Sequence, residues 1–214
     1  MYLGLSIEHS VINAAILNDG GDFVRQDSHS LDRDKISNLL EFCGAIVAKT
    51  AKAYPNLSQS IAVSAQGSFV GQPSPPDGLK CLAGEDLKAN LQASLGHAVA
   101  LVSPGQALAL YGSRFGAAKG SAVAGALYLD NHDFDGVAFG QKLWRGANCI
   151  VGAWDHTPLA WTVPHELDGH DCWCGRTGCL DCFLSLGGLK TYITTTPRHY
   201  LVSKRLQPQP MPVI

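Results

Sequence analysis

The residues best suited to chemistry lie between Gly152 and Cys182: His156, Cys172, Cys174, Cys179 and Cys182. Four are thiols and one is an imidazole, donor types that borderline-soft divalent metals accept. Cys172 and Cys174 stand two apart in the run Cys-Trp-Cys-Gly-Arg-Thr-Gly-Cys. Gly175 and Gly178 let the backbone turn sharply, so Cys179 can return to the point the first two thiols face. Core packing gives no reason for that spacing. Zinc takes sulfur and nitrogen in a tetrahedral shell, and His156 with Cys172, Cys174 and Cys179 would close it, which marks a structural rather than a catalytic site. Cys182 is expected to be a buried thiol that competes as a ligand if His156 is displaced. His165 and His170 flank the motif as surface residues. Trp154, Trp161 and Trp173 are expected to pack near the site.

Such a site needs reduced thiols. The N-terminus, MYLGLSIEHS, lacks the basic start and apolar core of a signal peptide. A cytoplasmic setting is therefore expected, where clustered cysteines read as a metal site rather than a disulfide framework. Cys43, Cys81 and Cys149 stand apart and read as small buried hydrophobes. Apolar residues make up 46% of the 214 and charged ones 16%, enough to build a sizeable core. A net charge of −2 offers no basic surplus for nucleic acid. No apolar run is long enough to span a membrane.

The elements that must position the site begin at the N-terminus. Residues 2–7, 11–17 and 22–26 read as three strands joined by turns, the second turn being Asn18-Asp19-Gly20-Gly21. Ile36, Leu39, Leu40, Cys43, Ile46 and Val47 share one face of a helix over 33–54. A strand at 61–64, a long Pro-containing loop over 66–84, a helix over 85–95 and a strand over 98–102 follow. Ser103-Pro104-Gly105-Gln106 is a capping-box start with proline at the first helical position, opening a helix to about Ala118. Lys119-Gly120 ends it. Segments 122–129 and 136–140 read as paired strands, and 183–192 as a short helix. The order is α/β. It divides into an N-terminal lobe over 1–119, a partial C-terminal lobe over 120–192 carrying the cysteines, and an extended or disordered tail over 193–214.

The cysteine run resembles the ROK family (repressors, open reading frames, sugar kinases). The resemblance is carried by Gly152-Ala153-Trp154-Asp155-His156-Thr157-Pro158-Leu159-Ala160-Trp161 and by Cys172 to Asp181, with Trp144-Arg145-Gly146-Ala147-Asn148 and Arg114-Phe115-Gly116-Ala117-Ala118 in support. The form of the first motif is similar to the fructokinase, mannokinase and N-acetylglucosamine kinase branch. The resemblance implies an actin/hexokinase-like (ribonuclease H-like) ATPase fold with the first lobe complete and the second truncated. It implies a hexose and ATP bound between lobes, a catalytic aspartate at a helix start, and glycine-rich phosphate turns.

The resemblance also assigns this chain's residues to those roles. The catalytic aspartate position falls on Pro104, which cannot accept a proton. The first phosphate turn falls on Ser6-Ile7-Glu8-His9-Ser10, where Glu8 adds charge of the wrong sign. The second falls on Asp130 to Gly136, where only Gly136 is kept. One sugar-contacting glutamate becomes Ala153, a second becomes Asp181, and a loop asparagine becomes Asp77. His156 keeps its implied place beside both zinc and sugar. The expected protein is thus sugar-kinase-like, with structural zinc, without phosphotransferase activity, and with a structural, interaction or sugar-sensing role. These positions argue against ATP and Mg as cofactors. A hexose remains a possible ligand, and a homodimer or a partner chain is expected to cover the second lobe. The alternative is an ATP-dependent kinase of fructose, mannose or N-acetylglucosamine drawing its base from Asp130 or Asp133.

Overall fold

The structure, a computed structural model, describes residues 1–8, 11–30, 35–65, 86–130, 134–146, 152–163, 166 and 169–195. The loop expected over 66–84, with Asp77 and Cys81, lies outside the described residues, as do His9, Ser10, Asp133, Cys149, His165 and the tail from 196.

Strands β1 (Tyr2–Ile7) and β2 (Val11–Leu17) follow from strict alternation: Leu3, Leu5 and Ile7, then Ile12, Ala14 and Ile16, all point into one core. They pair antiparallel with Leu5 opposite Ala14, and β3 (Phe23–Ser30) pairs antiparallel with β2. Helix α1 (Ile36–Ala53) then returns the chain so that β4 (Ser60–Ala65) runs parallel to β1, Val63 lying beside Leu5. Helix α2 (Leu87–Leu95) does the same for β5 (Ala98–Val102). The sheet order is β3-β2-β1-β4-β5. Leu39, Cys43, Ile46 and Val47 of α1 and Leu87 and Leu91 of α2 complete its core. Each such buried side chain contributes about 1.5–3 kcal/mol.

Helix α3 (Pro104–Arg114) starts as the sequence predicts. Ser103 Oγ accepts the Gln106 N–H at 3.1 Å, and Gln106 Oε1 accepts the Ser103 N–H at 3.2 Å. It ends at Arg114, short of the expected Ala118, where Phe115 leaves helical geometry. The Phe115 ring packs so closely on Gly21 that a Cβ there would sit 2.9 Å from it.

A second, antiparallel sheet holds β6 (Val123–Tyr128), β7 (Phe134–Phe139) and β8 (Lys142–Leu143). Strand β8 is not anticipated by sequence. It forms because Gly140 (φ 54°) and Gln141 (φ 62°) make a left-handed two-residue turn of the kind that closes hairpins. Helix α3 lies on this sheet through Ala109, Ala124 and Ala138. Small residues permit a close approach, and Gly136 is the limit: a Cβ there would stand 2.4 Å from Gly105 O and 2.6 Å from Gln106 Cα.

These elements form one compact unit, Met1–Tyr128 with Phe134–Trp154. The boundary expected at 119/120 falls within it. A second unit holds the residues from Asp155 onward together with Leu129 and Asp130. It contains α4 (Asp181–Leu184) and α5 (Leu186–Thr195), where one helix over 183–192 was expected. Ser185 adopts extended geometry (φ −67°, ψ 160°) and its Oγ accepts the Gly188 N–H at 2.9 Å, so it ends α4 and caps α5. Helix α5 also continues through Ile193–Thr195, which the sequence reading had placed in the tail. Among the described residues no helix is long and apolar enough to cross a membrane.

Candidate metal centre

The cysteine segment folds as a short hairpin built around its glycines. The Cys172 N–H donates to Arg176 O at 2.7 Å and the Gly175 N–H to Cys172 O at 2.9 Å, closing a tight turn. Gly175 (φ 88°) and Gly178 (φ 69°) supply the left-handed backbone this turn needs. Asp171 then pairs with Thr177, and Pro158 pairs with Cys179. The Leu159 N–H donates to Gly178 O at 3.0 Å and the Leu180 N–H to Thr157 O at 2.9 Å. The hairpin is thereby stitched to the segment that begins with the 3₁₀ turn Trp154–His156.

This stitching brings His156, Cys172, Cys174 and Cys179 together, with their ligand atoms all within 4.8 Å of one another. His156 Nδ1 is 3.5 Å from Cys172 Sγ, and Cys174 Sγ is 3.7 Å from Cys179 Sγ. A tetrahedron with metal–sulfur bonds of about 2.3 Å and a metal–nitrogen bond of about 2.0–2.1 Å has edges of about 3.8 Å and about 3.6 Å. The four residues therefore have the spacing of a tetrahedral N/S shell and could hold such a metal. On the far side of the imidazole, Nε2 lies 3.4 Å from Asp155 Oδ2. A carboxylate there fixes the tautomer that leaves Nδ1 as the donor. Asp155 was missed by sequence reasoning, although an acid beside the ligating histidine was its signal.

Burial pushes the Cys179 thiol up to about 11, the Cys174 thiol adding to the shift. Burial raises Cys172 and Cys182 in the same direction. Crowded thiols hold their protons until a cation stabilises the thiolates, so metal and protons compete here.

The other expected residues fall as follows. Asp181, expected at the sugar, is 3% exposed and accepts the Trp173 indole N–H at 3.0 Å. The Trp173 ring stands edge-on to His156 at 4.7 Å, so Asp181 reaches the candidate metal cluster through it. Cys182 is buried, its thiol donating to His170 O at 3.5 Å. The His170 ring packs 5.9 Å from Phe183 and is half-buried rather than on the surface. Trp161 corrects the packing expectation: it is 98% exposed at a left-handed φ of 54°. Trp154 packs on Gly125, both within the first unit. Pro104 occupies the first position of α3. Glu8 Oε1 accepts from Ser6 Oγ at 3.0 Å and Asn13 Nδ2 at 3.2 Å. Asp135 accepts the Trp154 backbone N–H. Ala153 takes a left-handed φ of 52°.

The ROK family model matches residues 2–207. The chain belongs to the ROK family. No curated protein sequence matched this ROK chain. Among solved structures it is similar to a ROK hexokinase from Thermus thermophilus, at 20% identity and a TM-score of 0.72, over 95% of this chain and 70% of that one. It is similar to a ROK-family glucokinase from Streptomyces griseus, solved with glucose and AMPPNP, at 22% identity and a TM-score of 0.70, over 94% and 64%. A ROK transcriptional regulator, a homolog of E. coli Mlc, matches at 18% identity and a TM-score of 0.70, over 90% and 48%. The ROK chain thus spans 48–70% of the length of these relatives, and at these identities the likeness concerns the fold.

Proposed function

We propose that this ROK protein carries a structural zinc in the His156, Cys172, Cys174 and Cys179 shell and does not transfer phosphate, acting instead in assembly or sugar sensing. The observation that carries the second half is the start of α3. Where the family resemblance puts the catalytic carboxylate, the chain has Pro104 in a closed capping box. A general base contributes typically about 10²–10⁴-fold, and proline has no group to accept the proton. Gly136, the one glycine kept from the second phosphate turn, is accounted for by its contact with Gly105 and Gln106. Glu8 places a carboxylate in the first turn, and phosphoryl transfer requires that phosphate charge be neutralised. An assembly role draws support from Val123, Leu127 and Phe139 on the second sheet, Trp144 just after β8, and Leu186, Leu189 and Ile193 on α5, all exposed. Apolar surface of that kind suits a second copy or a partner chain. His156 and Asp181 are the residues we assign nearest any hexose. Reduced thiols at the site suit the cytoplasm.

The competing reading, an ATP-dependent hexose kinase, is favoured by the likeness to the Thermus hexokinase and to the glucokinase solved with glucose and AMPPNP. A coupled assay with ATP, Mg²⁺ and a panel of hexoses separates the two. The expected outcome is no turnover above background and no shift of the melting temperature by ATP, since a bound nucleotide must stabilise the folded state. Turnover abolished by Asp133→Asn would establish the kinase instead. Metal analysis of protein purified without chelator tests the zinc assignment, with about one zinc per chain expected for a closed four-ligand site.

A further inference from the structure

Five donors serve a shell of four. Cys179 and Cys182 repeat the logic of Cys172 and Cys174, and two cysteines separated by two residues is itself a spacing of structural zinc sites. The Cys182 N–H donates to Cys179 O at 3.0 Å, so a single turn holds the pair. Cys182 belongs to the same buried cluster as Cys172 and Cys179. Its thiol is engaged through a long S–H···O contact, 3.5 Å to His170 O, a weak bond that costs little to give up. His156 is partly solvent-accessible, and Asp155 stands beside its Nε2 at 3.4 Å. The imidazole therefore has both a route out and a partner to hold it. We propose that Cys182 is a reserve ligand: when His156 leaves, the Cys182 thiolate takes its place and the shell changes from three cysteines and one histidine to four cysteines.

The exchange breaks one metal–nitrogen bond, forms one metal–sulfur bond and releases the Cys182 thiol proton to the imidazole or to solvent. With a divalent cation and three thiolates the centre carries one formal negative charge, and the exchange makes it two. Accumulating charge in a buried site is unfavourable, which explains why His156 rather than Cys182 faces the shell while both are present. This inference rests on the metal-binding reading above.

The test uses the full chain, stripped of metal, kept reduced and titrated with cobalt(II) alone, whose sulfur-to-metal charge-transfer absorption counts thiolates. Wild type is expected to show three thiolates, and Cys182→Ser the same spectrum. His156→Ala is expected to bind cobalt with that absorption raised by about one third. The double variant His156→Ala/Cys182→Ser should return to three thiolates and bind at least about tenfold more weakly than His156→Ala. A His156→Ala spectrum equal to that of the double variant, or a His156→Ala chain that neither folds around cobalt nor binds it, overturns the reserve-ligand role alone. Wild type that fails to bind cobalt overturns the metal reading together with it.

Discussion

Residue identity explains the metal cluster better than any other feature. Thiolate and imidazole are specific donors, and the donors lie close in sequence, so the grouping of His156, Cys172, Cys174 and Cys179 was legible before any fold was known. Asp181 was not, because its environment depends on Trp173, whose indole reaches it only once the hairpin has formed. The exposure of Trp161 was likewise invisible to composition, since nothing in an apolar residue type announces a left-handed backbone. Cys43 offers a test away from the metal. It is fully buried in the first core, and burial pushes its thiol up to about 12. The folded state then holds that proton more tightly than the unfolded chain, so its stabilising effect is complete below about pH 9 and is lost as the pH rises toward 12. Urea midpoints between pH 8 and pH 10.5 should fall for wild type. They should fall less steeply for Cys43→Ala, even though that variant starts less stable. Equal slopes would show that Cys43 does not govern the alkaline limb.

Among the elements, the first sheet and its helices were readable because their apolar residues keep the periods of two and 3.6, and α3 because its start has a specific chemistry. What escaped were features set by backbone conformation rather than by pattern. The turn before β8 uses Gly140-Gln141 in place of the usual Asn-Gly, and the break between α4 and α5 depends on Ser185 capping Gly188. The contact between β7 and α3 permits two measurements. Gly136→Ala would drive a methyl group into the backbone at Gly105 and Gln106. A loss of about 1–3 kcal/mol is expected from overpacking, and a change under half of that would mean the strand can shift. Ser103→Ala removes only the cap and should cost about 1 kcal/mol. Chemical denaturation of both variants beside wild type decides whether the approach of β7 or the cap matters more for α3.

At the scale of the whole molecule, the two units differ in what holds them. The first has a long roster of buried aliphatic side chains. Among the described residues of the second, the buried cluster is Cys172, Cys179, Cys182 and Phe183, with Leu159, Trp173, Cys174 and Tyr192 around it. Small cores commonly rely on a staple such as a metal, and the proposed zinc would serve as one here. Chelation should therefore abolish amide-exchange protection along Cys172–Thr195 while β1, β4 and β5 stay protected. Loss of protection in both regions at once would mean the units unfold together. The ROK frame was legible from one motif, because that motif is specific to the family. The placement of β6–β8 in the same unit as the first sheet was not, since it arises from the alanine contacts of α3 with β6 and β7.

All four residues of the proposed zinc shell lie in the short span between His156 and Cys179. During synthesis, that span emerges after the first sheet is already complete. A cell short of metal would then accumulate molecules finished in one part and unfinished in the other, each presenting thiols and unfolded backbone to chaperones and proteases. The steady-state abundance of this protein would report the metal supply at the moment of translation.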